Sequence, residues 1–206
     1  MRASPLLRLL LLPLWLALST LCAQAAPGTA AETFVNTDIN AGLAILKNPS
    51  LSVDQRNNQF ETFLLGITDL KRIALYTLGS AAATATPAQV DAFTTAFQNY
   101  AVAVYRTYFQ LYSGQTLNVT GSDVRGPDDV IVHTSMASPG GAQPLKIDFR
   151  VRLGGGKPVI TDLGVTGIWL AVSQHDDFAG FLGQHHGDVT ALTAHLNETA
   201  QAYTRK

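Results

Sequence analysis

The chain changes its hydrophobic period twice. Phe34, Val35, Ile39, Leu43 and Leu46 recur at helical spacing up to Asn48-Pro49, which predicts one amphipathic helix. Ser52 is placed to cap a second, whose buried stripe is Phe60, Phe63, Leu64 and Ile67, and Leu70, Ile73, Ala74 and Leu78 continue the period to Gly79. A small-residue loop follows. Thr86-Pro87-Ala88-Gln89 then combines a cap, a first-turn proline and the far side of a capping box, predicting a long helix to Ser113 with Gly114 as its stop. Beyond it the period becomes two. Leu145, Ile147, Phe149, Val151 and Leu153 alternate with Lys146, Asp148, Arg150 and Arg152, a strand with one apolar and one charged face. Segments 115–124, 129–137 and 157–166 also suit strands, so the middle of the chain reads as a four-stranded antiparallel meander. After Gly167 the helical period returns through Ile168, Leu170, Ala171 and Val172. Asp188 caps a last helix carrying Val189, Leu192, Ala194 and Leu196. Helices covering one face of such a sheet make an α+β domain.

The long helix is too apolar for a surface helix. At about 100° per residue, Phe97, Tyr100, Ala101, Val104, Tyr105, Tyr108, Phe109, Leu111 and Tyr112 span an arc of roughly 200°, twice the stripe that one core requires. Either protein packs on both sides, or part of the arc faces something that is not protein.

Composition changes the picture chiefly at the N-terminus. Arg2 and Arg8 precede the apolar run LLLLPLWLALSTL, and Ala23-Gln24-Ala25 has small residues at cleavage spacing. The run is shorter than the roughly 20 residues of a membrane span and holds Pro13. Residues 1–25 are therefore expected to be a cleavable export signal and residues 26–206 a single domain. Cleavage removes Cys22, the only cysteine, leaving a chain that folds without disulfides in an oxidising compartment. It also leaves 12 basic against 15 acidic side chains, a net charge of −3, which argues against a nucleic-acid partner.

Catalytic chemistry finds little support. The mature chain has no thiol and no Gly-x-Ser-x-Gly elbow. Gly154-Gly155-Gly156 is followed by no Lys-Ser/Thr and reads as a hairpin turn. His175, His185, His186 and His195 lack a metal-ligand motif, and Asp128-Asp129 and Asp176-Asp177 read as solvated pairs. No catalytic residue, no metal and no cofactor is expected.

The order of short motifs is more informative. Thr84-Ala85-Thr86-Pro87-Ala88-Gln89, Ala92-Phe93, Ala96-Phe97, Tyr100, Tyr105 and Tyr112-Ser113-Gly114-Gln115-Thr116 are followed by Leu145-Lys146-Ile147-Asp148-Phe149. Asp162 through Trp169, Asp177-Phe178, Gly187-Asp188 and Leu192-Thr193-Ala194-His195-Leu196 then complete the order. This arrangement resembles the MlaC family of periplasmic phospholipid-binding proteins, also called toluene-tolerance proteins, and has hopanoid-associated relatives. The resemblance implies an NTF2-like sheet with a helical subdomain enclosing an apolar cavity. It implies a soluble Gram-negative periplasmic carrier that holds a glycerophospholipid by its acyl chains and serves outer-membrane lipid asymmetry. Such a carrier exchanges lipid between an outer-membrane lipoprotein–porin complex and an inner-membrane ABC transporter bearing an MCE-domain protein. A hopanoid is the alternative ligand.

The residues expected to line the cavity are Phe97, Ala101, Val104, Tyr105 and Tyr108 from the long helix and Ile147, Phe149 and Val151 from the best strand. Trp169, Val172 and Phe178 are expected at its opening. Lys146, Arg150 and Arg152 lie on the opposite strand face. Two other classes remain open: a ketosteroid-isomerase-like enzyme using Asp162 or His133, and a structural adaptor with a filled interior.

Overall fold

The computed structural model describes residues 25–110 and 112–205, so the expected export signal lies outside the described residues except for Ala25. Six helices, α1 (Pro27–Lys47), α2 (Val53–Ile67), α3 (Leu70–Leu78), α4 (Pro87–Gln110), α5 (Leu170–Gln184) and α6 (Val189–Thr204), accompany five strands. These are β1 (Thr116–Gly126), β2 (Asp129–Ala137), β3 (Leu145–Arg152), β4 (Val159–Val165) and β5 (Ile168–Trp169). The strands form one antiparallel sheet in chain order. The α+β class is as expected, with one strand more than the four that the alternation predicts.

The extra strand has a local cause. Thr166 and Gly167 both take positive φ, 49° and 88°, making the two-residue turn that matches the twist of a hairpin. Ile168 and Trp169 fold back to pair with Val165 and Gly164. Two residues are too few to show alternation, so their apolar side chains read as the start of α5.

Capping follows the sequence closely. Ser52 and Gln55 exchange hydrogen bonds across the first turn of α2, Thr86 and Gln89 do so at α4, and Asp188 accepts from the Thr190 and Ala191 amides at α6. Three boundaries differ. Helix α4 ends at Gln110, short of the expected Ser113. The small-residue loop is a 3-10 turn (Gly79–Ala83), and α2 does not run into α3. Thr68 forms a parallel bridge with Ile160 on β4, and Asp69 caps α3 by accepting from the Arg72 amide.

Burial is divided between two clusters. Phe93, Phe97, Ala101, Phe178, Leu182, Leu192 and Leu196 close a core among α3, α4, α5 and α6. Ala31 and Val35 of α1 close a second against Val130, Val132 and Val151 of the sheet. Helix α2 contributes Phe60 and Ile67 to neither cluster. It packs on α1 where Gly42 lets it come close: a Cβ there would meet the Phe63 ring at 3.1 Å and the Phe60 ring at 3.2 Å.

The other sheet face is a polar lattice. Arg150 donates from Nε and Nη2 to the two oxygens of Asp129, at 2.9 and 2.7 Å. His133 Nδ1 lies 2.8 Å from Asp148 and its Nε2 3.1 Å from Asp123, joining β1, β2 and β3. The bond to buried Asp148 raises the His133 pKa above its ordinary 6.5; burial opposes this, and Asp123 adds to the rise. The imidazolium is thus favoured in the folded state. Its stabilisation is fully present below the unfolded pKa and is lost as pH rises through the higher folded value. In melts run from pH 6 to 9, His133→Gln is expected to flatten this part of the profile and to cost about 1–2 kcal/mol at the acid end.

Candidate functional site

Between the two cores lie two adjoining cavities. The first, about 170 Å³, is walled by α1 (Val35, Ile39, Leu43, Leu46), α2 (Phe60, Phe63, Leu64, Ile67) and the sheet (Leu117, Phe149, Ile160). Its one ionisable wall residue is Asp38, whose pKa burial raises and Lys157 partly lowers. The second, about 270 Å³, is bounded by α3, the wide face of α4, β4 and the first turns of α5, with Tyr203 of α6 at its side. Leu64, Phe149 and Ile160 belong to both walls, so the cavities meet at these three side chains.

Six of the residues expected to line a cavity do so. Phe97, Ala101, Val104, Tyr105 and Tyr108 of α4 and Phe149 of β3 all border the second cavity. Phe97 and Ala101 also belong to the helical core, whereas Tyr108 is 64% exposed. The breadth of the α4 arc thus has a structural counterpart: one flank packs against α5 and α6, the other borders empty space.

The other five lie outside both cavities, for two reasons. Val151 and Phe178 are filled core, Val151 beneath α1 and Phe178 edge-on to the rings of Phe93 and Phe97. Ile147 is also buried and borders neither space. Trp169 and Val172 stand beyond the edge of the cavity, facing a groove of about 310 Å³ on the polar side of the sheet with Arg125, Ile131 and Arg150. Gly164 decides the position of Trp169. A Cβ there would come 3.3 Å from the indole, so the missing side chain leaves the ring its seat.

The first cavity as a whole was not anticipated. Its α1 and α2 residues read as ordinary buried stripes, because apolar spacing looks the same whether the opposite side is protein or space. Gly42 was the available signal, since it sits inside an apolar helix stripe and sets the α1–α2 approach.

The polar groups of the second cavity cluster at its α4–α5 side. Asp162 follows the β4 bulge, and its Oδ1 accepts from the amides of Leu163 at 2.8 Å and Ala171 at 2.9 Å, tying the start of α5 to the sheet. Burial raises its pKa, while these amides and Arg150 hold it down. The Tyr105 hydroxyl end is buried, and desolvation, with Asp162 adding to it, pushes it to about 12. Gln174 donates from Nε2 to the Tyr100 hydroxyl at 3.3 Å. His133 lies on the opposite face of the sheet, bound to two carboxylates. Among the described residues no group of three or more His, Cys, Asp or Glu is arranged to hold a metal ion. His185 and His195 both stack on Phe181, and His175 lies 3.1 Å from the Tyr76 carbonyl oxygen.

The model of the MlaC protein family matches residues 37–198, which takes in the whole sheet and every lining residue of the two cavities except Val35 and Tyr203. The chain belongs to the MlaC family. Its fold is also similar to that of a phospholipid-binding protein from Ralstonia solanacearum, solved in complex with a phospholipid. The TM-score is 0.74 at 23% identity, over 84% of this chain and 98% of that one. The MlaC fold therefore accounts for the α+β plan and for the helical layer on one sheet face.

A cavity wall and a filled core respond differently to truncation. Phe93 is fully buried, so Phe93→Ala is expected to cost about 3–5 kcal/mol. Phe149 borders two empty spaces and forgoes contacts on those sides, so Phe149→Ala is expected to cost at most about half as much. Chemical denaturation of the two variants checks this, and equal losses would mean that Phe149 is ordinary core.

Proposed function

We propose that this chain is a lipid carrier rather than an enzyme: it holds a phospholipid by its acyl chains and moves it across an aqueous compartment. The observation that carries the reading is the pair of adjoining apolar cavities between two separately closed cores. Each methylene kept from water contributes about 0.8 kcal/mol, and a two-tailed lipid has roughly 30 of them. Such a molecule does not cross water exposed; it needs an enclosed apolar space.

The structural relative, a phospholipid-binding protein that holds a phospholipid in its solved complex, supports the same reading. So does membership of the MlaC family. The compartment in this reading is the periplasm, reached by means of the N-terminal signal. The partners are an outer-membrane lipoprotein–porin complex on one side and an inner-membrane ABC transporter with its MCE-domain protein on the other. Among the described residues no helix is long and apolar enough to cross a membrane.

Helix α2 walls both cavities and is the wall best placed to yield to a bulky cargo. None of its fully buried residues belongs to either core, and only its partly buried Leu65 packs against the helical one. Polar ties also hold it: Arg106 to Glu61 and Asn58, and Lys157 to the Gly66 carbonyl.

The enzyme alternative loses its candidate groups to structural duties. Asp162 is engaged by two backbone amides, and His133 by two carboxylates on the far face. A purely structural adaptor would not need the empty interior.

Protein purified from its native compartment is expected to carry lipid, identified by native mass spectrometry and extraction, with a hopanoid distinguishable from a phospholipid by mass. Val104→Asp places a charge on the cavity wall. It is expected to abolish co-purified lipid while leaving the far-UV spectrum and a cooperative melt intact. Lipid-free wild-type protein that takes none from vesicles would overturn the carrier reading.

A further inference from the structure

The two cavities share a wall but differ in chemistry. The first is apolar apart from Asp38 at its border. The second also presents Thr68, Tyr100, Tyr105, Asp162, Gln174 and Tyr203. Within that set Tyr100 and Gln174 stand apart. Gln174 Nε2 donates to the Tyr100 hydroxyl, which therefore accepts one bond and retains its own proton for another partner. Gln174 Oε1 is buried and accepts nothing from the protein. Desolvation, foremost, raises the Tyr100 pKa and keeps the hydroxyl protonated. The pair thus offers one unused donor and one unused acceptor beside the apolar walls of that chamber.

We propose that Tyr100 and Gln174 form a specificity site for the acyl-ester neck of the cargo lipid, with the chain ends directed across the Leu64–Phe149–Ile160 boundary into the first cavity. This rests on the carrier reading and adds to it a ligand class and a direction. An acyl chain has no polar atom except at its ester, whose carbonyl oxygen only accepts. Tyr100 supplies the donor that such an oxygen needs on leaving water. A water or hydroxyl beside the ester donates to Gln174 Oε1. The reverse orientation lacks this match. Asp38 is the one polar side chain lining the first cavity, and a carboxylate accepts, like the carbonyl itself. In the second cavity Asp162 is already engaged by two backbone amides, and Tyr100 supplies the donor. The terminal methyls ask only for the apolar walls that Phe60, Phe63 and Leu43 provide.

Two lipids that differ only at the neck test the site: dioleoyl phosphatidylcholine and its dialkyl-ether counterpart, which lacks the carbonyls. Each competes with a fluorescent lipid for protein stripped of its cargo. The wild type is expected to hold the diacyl lipid roughly 2- to 10-fold more tightly, the range of one hydrogen bond. In Tyr100→Phe the two affinities are expected to converge. Equal affinities in the wild type, or a preference that survives Tyr100→Phe, would overturn the neck site and leave the carrier reading standing. Binding of neither lipid would remove the carrier reading and this site together. Direction is read on the wild type with photoreactive phospholipids. A diazirine at the terminal carbon is expected to label α1 and α2, and one beside the ester to label α4 and α5. A reversed pattern, or the same peptides from both probes, would overturn the assigned direction.

Discussion

Everything distinctive about this molecule depends on two hydrophobic cores that close without fusing. Phe93, Phe97, Phe178 and Leu192 satisfy one another within the helical layer. Val35 of α1 satisfies Val130, Val132 and Val151 of the sheet. Protein interiors ordinarily pack to the density of organic crystals, so empty space survives only where rigid surroundings prevent collapse. Here α4 is fixed by the helical core and β3 by the sheet core. The side chains between them, Val104, Tyr105, Leu64 and Phe149, border space that neither core can contract to fill.

The polar half of the molecule serves the same end. Arg150 with Asp129, and His133 with Asp123 and Asp148, bind adjacent strands on the face away from the helices. Asp162 ties the first turn of α5 to the β4 bulge. A sheet braced from outside does not need its inner face fully packed, which leaves Phe149 and Ile160 available as walls. Titratable groups that suggested chemistry in the linear chain are thereby engaged in holding the frame around an apolar interior.

The linear pattern made most elements legible. Capping at Ser52, Thr86 and Asp188 is local chemistry, and alternation along β3 is a local period, so both survive folding unchanged. The excess breadth of α4 was legible too, and six of its residues border the second cavity. The hairpin at Thr166-Gly167 and the break at Thr68 were not, because each depends on a pairing partner: Gly164–Val165 for one and Ile160 for the other.

By itself, then, the sequence determined most of the helical and strand stretches, which face of each is apolar, and that α4 has more apolar surface than one neighbour can cover. Tertiary structure decided where that surplus goes. Val151 and Phe149 lie two residues apart on the same strand face, yet one is sealed beneath α1 and the other borders two cavities. Trp169 sits on the polar side because Gly164 leaves it a seat there. Apolar periodicity records only that a side chain avoids water. Whether it does so against protein or around space depends on how far two independently packed layers stand apart, and no local pattern encodes that distance.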